Sequence, residues 1–182
     1  MDIESLIKEC KKPNIIAQRL LYERFCNQLF NCCKRYIQNK EDAEECLMNG
    51  FHIIYNSIEK FSYLNDASFV SWLKRIMINE CLNFLRKKNK IEYIQIEDDE
   101  ILSVEPTVFD DIESRDLLKL IEEMPIGYKT ILNLYVIEQM SHKEISETLT
   151  ISEGTSKSQL SRARIFLKNL ILNRKNAKRK GI

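Results

Sequence analysis

The chain has 182 residues, of which 30% are charged and 44% hydrophobic, so it can bury the core of one ordinary domain or of two small ones. Only four glycines and three prolines occur, too few for the many turns of a strand-rich fold. No apolar run approaches the roughly 18 residues that span a bilayer. The start, MDIESLIKECKKPN, has no signal-peptide core, so we expect a cytoplasmic protein without membrane insertion.

Charge is unevenly distributed, although the net charge is only +1. Residues 92–123 are rich in Asp and Glu and hold only two bases, Arg115 and Lys119. Residues 154–182 hold nine bases and no acid. Such segregation indicates a partner with a charge of its own.

The cysteines and histidines do not form a metal-binding pattern. The two histidines are far apart, and no C-x-x-C pair occurs, whereas a zinc site needs clustered ligands. We therefore predict no metal and, in a reducing compartment, six free thiols. All six lie in the first half of the chain: Cys10, Cys26, Cys32, Cys33, Cys46 and Cys81.

The first ninety residues have the apolar spacing of helices throughout. One predicted helix carries Leu21, Phe25 and Leu29 and breaks at Gln38–Lys40. A second follows in EDAEECLMNGFHIIYNSIEKF, up to a loop at Asn65 and Asp66. A third begins near Ser68, and its apolar stripe consists of Phe69, Trp72, Leu73, Ile76 and Met77.

Helical periodicity disappears between Ile91 and Pro106, where a short strand is conceivable but an acidic linker fits the composition better. It resumes at Asp110 in a helix that Pro125 ends, and YKTILNLYVIEQ predicts the next helix. Ser141 and Glu144 form a capping-box pattern, a tight turn follows at Leu149–Ile151, and Ser152 is an N-cap candidate. Two helices joined in this way indicate a helix-turn-helix.

The second of these helices has two sides on a helical wheel. The buried side holds Leu160, Ala163, Leu167, Leu170 and Ile171, and the outer side holds Thr155, Ser158, Ser161, Arg162 and Ile165. Short outer side chains allow close approach to a DNA groove, where Arg162 could contact guanine and Gln159 adenine. The alternative is an ordinary solvated face, but the helix-turn-helix and the acid-free, basic segment favour nucleic acid.

A second polar position lies on the third N-terminal helix, where Asn79 interrupts an otherwise apolar stripe. Its amide could bond nearby backbone or contact a nucleobase. Aromatic residues interleaved with bases, as in a stacking site for single strands, occur nearby, although aromatics at helical spacing are more often core. They are Phe61, Tyr63 and Trp72, with Lys60, Lys74 and Arg75.

These segments together resemble extracytoplasmic-function (ECF) sigma factors of the sigma-70 family. SFVSWLKRIMINECLNFLRKKNK resembles their promoter-melting segment, and DAEECLMNGF resembles their polymerase-clamp helix. MPIGYKTILNLYVIEQMSHKEISETLTISEGTSKSQLSRARIFL resembles their C-terminal helix-turn-helix nearly throughout. The likeness covers about residues 10–172 in the family's order.

The resemblance implies an all-α fold of two small helical domains. Residues 1–90 would be region 2, which binds core polymerase and melts the −10 element. Residues 91–109 would be the acidic linker along the RNA path, residues 110–174 the region 4 helix-turn-helix for the −35 element, and residues 175–182 a basic tail. Implied partners are core RNA polymerase (its beta and beta-prime subunits) and promoter DNA, with an anti-sigma factor as a further candidate.

The resemblance also implies residues for each contact. The clamp contact would be Ala43, Glu44, Glu45, Leu47 and Phe51. The −10 contacts, in and after the base-capturing loop Ser62–Ser68, would be Phe61, Tyr63, Asn65, Asn79, Asn83 and Arg86. The −35 contacts would be Thr155, Lys157, Ser158, Gln159, Ser161 and Arg162. The clamp helix departs from the family pattern Asp-x-x-Gln-Glu, since Glu45, Met48 and Asn49 stand there.

Two other classes of protein are alternatives to a sigma factor. A helix-turn-helix regulator with an N-terminal helical sensor or dimerisation domain would bind palindromic duplex without polymerase. An enzyme would need a site that the sequence lacks, such as paired carboxylates in a glycine frame or a phosphate-cradling loop. We therefore expect no catalysis, no cofactor and no small-molecule substrate.

Overall fold

The computed structural model describes residues 1–88 and 114–179. In these residues every regular element is helical, which confirms the all-α prediction there. The chain divides into two compact units, Met1–Lys88 and Asn89–Ile182. Outside the described residues lie the predicted linker at 91–109, the weak strand pattern within it, the onset of a helix at Asp110 and the end of the basic tail.

An asparagine side chain caps each long helix of the first unit. Asn14, Asn39 and Asn65 accept hydrogen bonds from backbone N–H groups in the first turns of the three helices that follow them. The predicted break at Gln38–Lys40 is confirmed. The elements are α1 (Ile3–Cys10), α2 (Ile15–Tyr36), α3 (Lys40–Ser57), a 3-10 turn (Ile58–Lys60) and α4 (Asp66–Lys87).

The core of the first unit lies between α2, α3 and α4. Most of the predicted α4 stripe is confirmed, since Phe69, Leu73 and Met77 are fully buried. Trp72 and Ile76 lie at its edge and are half-buried. Burying side chains of this size contributes about 1.5–3 kcal/mol each, so these stripes hold the bundle together.

Helices α3 and α4 run antiparallel and approach closely. A Cβ atom on Gly50 would lie 2.3 Å from the Met77 sulfur, so only glycine fits there without movement. Along the same pair of helices, the Asp42 carboxylate forms an ion pair with the Lys88 ammonium group at 2.8 Å. One turn from Gly50, the Cys46 and Cys81 thiols are hydrogen bonded. Hydrogen bonds to Cys33 and Cys46, together with burial, raise the pKa of the Cys81 thiol. All six cysteines are free thiols.

The second unit packs four helices around the predicted apolar face of its last helix. Leu160, Ala163, Leu167 and Ile171 are buried as predicted, whereas Leu170 is half-buried. The helix predicted across Tyr128–Gln139 widens to a π-helical segment after Leu132. The elements are α5 (Ser114–Glu122), α6 (Ile126–Leu132), the π segment (Asn133–Ile137), α7 (His142–Leu149) and α8 (Glu153–Arg179).

One cation lies inside the second unit. Lys129 of α6 is 1% exposed, and its ammonium group has no hydrogen-bond partner within the described residues. Burial lowers the pKa of Lys129, and only the nearby charge of Glu122 opposes this shift. None of the helices within residues 1–88 and 114–179 has the length and apolar character that a membrane span requires.

Candidate nucleic-acid interface

The helix-turn-helix of the second unit consists of α7, a short turn and α8. The predicted capping box is confirmed, since the Ser141 side chain accepts from the Glu144 N–H and the Glu144 carboxylate accepts from the Ser141 N–H. Ser152 caps α8 as predicted, because its Oγ accepts from the Thr155 N–H at 2.9 Å. Between the two helices Thr150 adopts a left-handed conformation with φ 58°.

Only part of the predicted −35 face of α8 is accessible. Lys157 is exposed, while Thr155, Ser158 and Arg162 are half-buried. The Ser158 hydroxyl donates to the Thr155 carbonyl oxygen at 3.1 Å. Two of the predicted contact residues are buried, since Gln159 is 2% and Ser161 9% exposed. Gln159 lies nearer the core side of α8 than its flank position on the wheel indicated, and the short Ser161 side chain does not reach beyond its surroundings.

A cluster beside this face was missed by the sequence analysis. The His142 ring stacks on Tyr135, with ring centroids 4.8 Å apart. The Arg164 guanidinium carbon lies 5.6 Å from the centroid of the same Tyr135 ring. The His142 Nδ1 atom is 2.9 Å from the Ser156 Oγ of α8. The position of a residue on one helix could not reveal this cluster, because its members come from three elements. The positive charge of Arg164 was the one feature of the sequence that pointed to a site here.

The second candidate face lies on α4 in the first unit. Asn79, Asn83 and Arg86 are all exposed and follow one another at helical spacing. Arg86 donates to the Asn83 side-chain oxygen at 2.7 Å. The sequence had indicated that the Asn79 amide lies within an apolar stripe. The structure exposes this amide to solvent, so it needs no internal hydrogen-bond partner. Three polar side chains instead present donors and acceptors along one exposed edge.

An aromatic cluster lies at the start of this face. Phe61 and Trp72 are half-buried, with ring centroids 4.7 Å apart, and both contact the buried ring of Phe69. The ammonium group of Lys11, the residue that follows α1, donates to the Phe61 carbonyl oxygen at 2.8 Å. Phe61 is thus partly core and partly surface, so both sequence interpretations of the aromatics apply to it.

The loop before α4 uses its predicted −10 residues to define its own shape. The Tyr63 hydroxyl donates to the Asp66 carboxylate at 2.6 Å, and this hydrogen bond raises the pKa of Tyr63 to about 12. Asn65 caps α4 and forms a capping box with Ser68. Leu64, between them, is 79% exposed. The loop is therefore an ordered frame with one protruding apolar side chain, which the sequence analysis did not single out.

The predicted clamp contact on α3 separates into two groups. Glu44 and Glu45 are exposed, whereas Ala43, Leu47 and Phe51 are buried at 0%, 5% and 2% exposure. These three side chains are buried and hold the helix in place, and Phe51 also lines the groove described next; their contact with the polymerase clamp stays a prediction. Their burial agrees with their residue type, since all three are apolar.

The outward side of α3 borders a groove of about 450 Å³ shared with α2. Met48, at 58% exposure, and His52 contribute from α3. Ile15, at 80% exposure, and Tyr22 contribute from α2. The groove is mostly apolar, so together with Glu44 and Glu45 it forms an amphipathic surface suited to a protein partner.

Comparison with known protein families assigns each unit. The family model described as Sigma-70 region 2 matches residues 21–91. The model described as Sigma-70, region 4 matches residues 114–167. These two regions define a sigma-70-type factor. An N-terminal sensor or dimerisation domain, as in the alternative helix-turn-helix regulator, is not what the first unit matches.

Several relatives match over much or nearly all of their length. SigW, an ECF RNA polymerase sigma factor of Bacillus subtilis, is 28% identical over 92% of this chain and 96% of its own. SigV of the same organism is 30% identical over 70% of this chain and 75% of its own. The ECF sigma-E factor of Haemophilus influenzae is 27% identical over 92% and 94%. The chain therefore belongs to the ECF group of the sigma-70 family.

A solved structure shares the fold. The sigma factor RpoE of Bartonella quintana, crystallised with the anti-sigma factor NepR, aligns with a TM-score of 0.52 at 18% identity. The alignment covers 84% of this chain and 95% of that one.

Proposed function

We propose that the two units of this sigma factor divide promoter recognition between them. Residues 1–90 bind core RNA polymerase and open the −10 element, and residues 110–174 bind the −35 duplex. The observation that carries the proposal is the pairing of two exposed polar faces in one chain: Asn79–Asn83–Arg86 on α4 and Lys157 with its neighbours on α8. The protein acts by binding, without catalysis of its own, in the cytoplasm where polymerase and promoters are.

The first unit offers a separate surface for each of its two partners. The apolar groove between α2 and α3, which exposed Met48 helps to line, is the surface for the polymerase clamp, together with exposed Glu44 and Glu45 one turn before Met48 on α3. The α4 face binds the −10 strand. The half-buried Phe61 and Trp72 at its start can stack on an unpaired base, and exposed Leu64 can pack against it.

The second unit binds duplex chiefly through cations and short side chains. Lys157 and Arg164 are exposed and can contact phosphates, while the half-buried Arg162 is placed for a base edge or a phosphate. Thr155 and Ser158, being short, let the α8 backbone approach the groove. Gln159 and Ser161 support the helix from within rather than reading bases.

An anti-sigma factor remains a further proposed partner. The Bartonella RpoE structure was solved with one. The exposed apolar groove of the first unit is the surface such an inhibitor would need to cover in order to keep polymerase away.

Transcription from genomic DNA tests the proposal directly. Purified chain and core polymerase are incubated with fragments of the source genome, and the transcript starts are sequenced. We expect initiation at a limited set of promoters that share −35 and −10 sequences. Core polymerase alone is the control, and equal initiation with and without the chain would contradict the proposal. A gel shift without polymerase separates this function from that of a free-standing repressor, which binds duplex tightly by itself.

Two substitutions in α8 distinguish base contact from phosphate contact. Arg162→Ala should weaken binding of the holoenzyme to its promoter by about 1–3 kcal/mol and relax −35 preference if the guanidinium contacts a base edge. Lys157→Ala should weaken binding to all sequences alike and reduce the salt slope by about 1. Lys12→Ala, just after α1 in the other unit and paired with Glu9, is the control. Unchanged −35 preference in the Arg162 variant would remove that residue from base recognition.

A further inference from the structure

Three side chains of the helix-turn-helix, those of His142, Lys157 and Arg164, belong to one cluster. Tyr135 of the π segment is in contact with both the His142 ring and the Arg164 guanidinium group. Ser156, which is fully buried, bonds the His142 Nδ1 atom and so ties the first residue of α7 to α8. Lys157 follows Ser156 directly in α8. The His142 ring is thus held at a defined place beside two cations.

The charges around His142 are mostly positive. From α8, Lys157 and Arg164 act on the ring, and Glu153 is the one carboxylate there that opposes them. On α7 itself, exposed Lys143 is next in sequence, and the Glu144 carboxylate is bonded to Ser141. Partial burial and the two cations lower the pKa of His142 below its ordinary value. In the free chain the ring is therefore neutral at neutral pH.

This cluster lacks the ion pairs that neutralise several other cations of the chain. Lys8, Lys12, Lys40 and Lys88 each pair with a carboxylate. Lys157 and Arg164 form no ion pair within the part of the chain that the structure describes. Uncompensated cations on a helix-turn-helix favour an anion from outside, and the anion that duplex DNA presents is the backbone phosphate.

We propose that His142, Lys157 and Arg164 form one phosphate-binding cluster for duplex DNA, and that His142 takes up a proton when a phosphate occupies it. The inference rests on the proposed binding of −35 duplex by this unit and adds a proton to that reaction. A phosphate beside Lys157 and Arg164 offsets the two charges that keep the ring neutral, and it favours the imidazolium form directly. Nδ1 keeps its bond to Ser156, with the hydroxyl then accepting.

Proton uptake gives the effect a definite sign. Because the DNA-bound form holds the proton more tightly than the free form, affinity is highest at low pH. It falls as the pH rises through the interval between the two pKa values of His142. Each unit by which DNA raises that pKa changes the dissociation constant by about tenfold across the interval.

The first test compares promoter binding at about pH 6 and about pH 8, a range in which histidine titrates. Holoenzyme made with the wild-type chain is titrated onto the strongest promoter found in the transcription screen, at low salt. We expect the wild-type dissociation constant to rise by about tenfold between the two pH values. His142→Gln should reduce this change to the background of the polymerase itself. Lys143→Gln, one residue away, should keep the wild-type pH dependence.

A second measurement guards against a variant that fails to fold. The chain has only two histidines, His52 and His142, so histidine-labelled protein gives two ring signals in an NMR titration. Addition of a promoter duplex should raise the pKa of His142 and leave the ring signals of His52, in α3, in place. Duplex binding without a change at His142, or equal pH dependence in wild type and His142→Gln, overturns the inference alone. No binding of the holoenzyme to any promoter duplex overturns the proposed function and the inference with it.

Discussion

Lys129 shows how a single residue can act against the stability of its unit. Its ammonium group is enclosed in the core of the second unit beside α5, with the Glu122 charge nearby and no hydrogen-bond partner among the described residues. An ammonium group removed from water is costly unless it is well paired. The folded state therefore holds the Lys129 proton less tightly than the unfolded state does.

We expect Lys129→Met to raise the free energy of unfolding at pH 7 by about 1–3 kcal/mol, because it fills the same space without a charge. The sign of the pH dependence follows from the lowered pKa of Lys129. Below the folded pKa the penalty is complete, and it disappears as the pH rises toward the ordinary lysine value. Urea unfolding from neutral to alkaline pH should thus show wild-type stability rising more steeply than that of the variant. Lys143→Met, at an exposed site, is the control, and equal gains in both variants would contradict the argument.

Among the elements, the turn between α7 and α8 contains a conformation that its residue disfavours. Thr150 has φ 58° and ψ 48°, a left-handed region in which a β-branched side chain is crowded. Glycine is the usual residue at this position after a helix. The turn between α7 and α8 therefore forms at some cost in local conformational free energy.

Thr150→Gly should raise the melting temperature of the protein, with a gain in stability of about 0.5–1 kcal/mol after the greater freedom of the unfolded chain is deducted. Thr148→Gly, the same change within α7, should lower it. Thermal unfolding followed by circular dichroism measures both. A loss of stability in the Thr150 variant would show that its side chain makes a contribution larger than the strain.

The close contact of α3 and α4 gives a second prediction at this scale. Gly50→Ala should cost about 1 kcal/mol, because the clash with buried Met77 exceeds the gain in helix propensity. In a Met77→Ala background the same change should become stabilising, since the clashing atoms are gone. The double-mutant cycle measured by urea unfolding gives the coupling energy. Additive effects would contradict the contact, and Gly154→Ala, at an exposed site in α8, is the control for propensity.

Sequence patterns predicted the elements better than they predicted the surfaces. The starts of α7 and α8 were predicted because the caps Ser141 and Ser152 act locally, whereas the asparagine caps of the first unit were not identified. The wheel misplaced Gln159 and Ser161, because exposure depends on the length of surrounding side chains and on the other helices, which a single-helix projection omits. His142 was missed for a related reason, since its function arises from contacts among three elements.

For the whole molecule, the main consequence of the fold is that each unit has its own core. The described core residues of unit 1 lie within α1 to α4, and those of unit 2 within α5 to α8. We expect residues 1–88 and 114–182, expressed separately, each to unfold cooperatively on heating. Circular dichroism of the two fragments and of the full chain tests this. A fragment that melts without a cooperative transition would show that its core depends on residues absent from it.

The register between α3 and α4 has a mechanical consequence. Asp42–Lys88, Cys46–Cys81 and Gly50–Met77 join the two helices at three levels, so α4 cannot slide or turn independently of α3. In the proposed complex, docking α3 on the polymerase would therefore also fix the position of Asn79, Asn83 and Arg86. The bundle would then set the distance from the enzyme to the base pair at which the strands part.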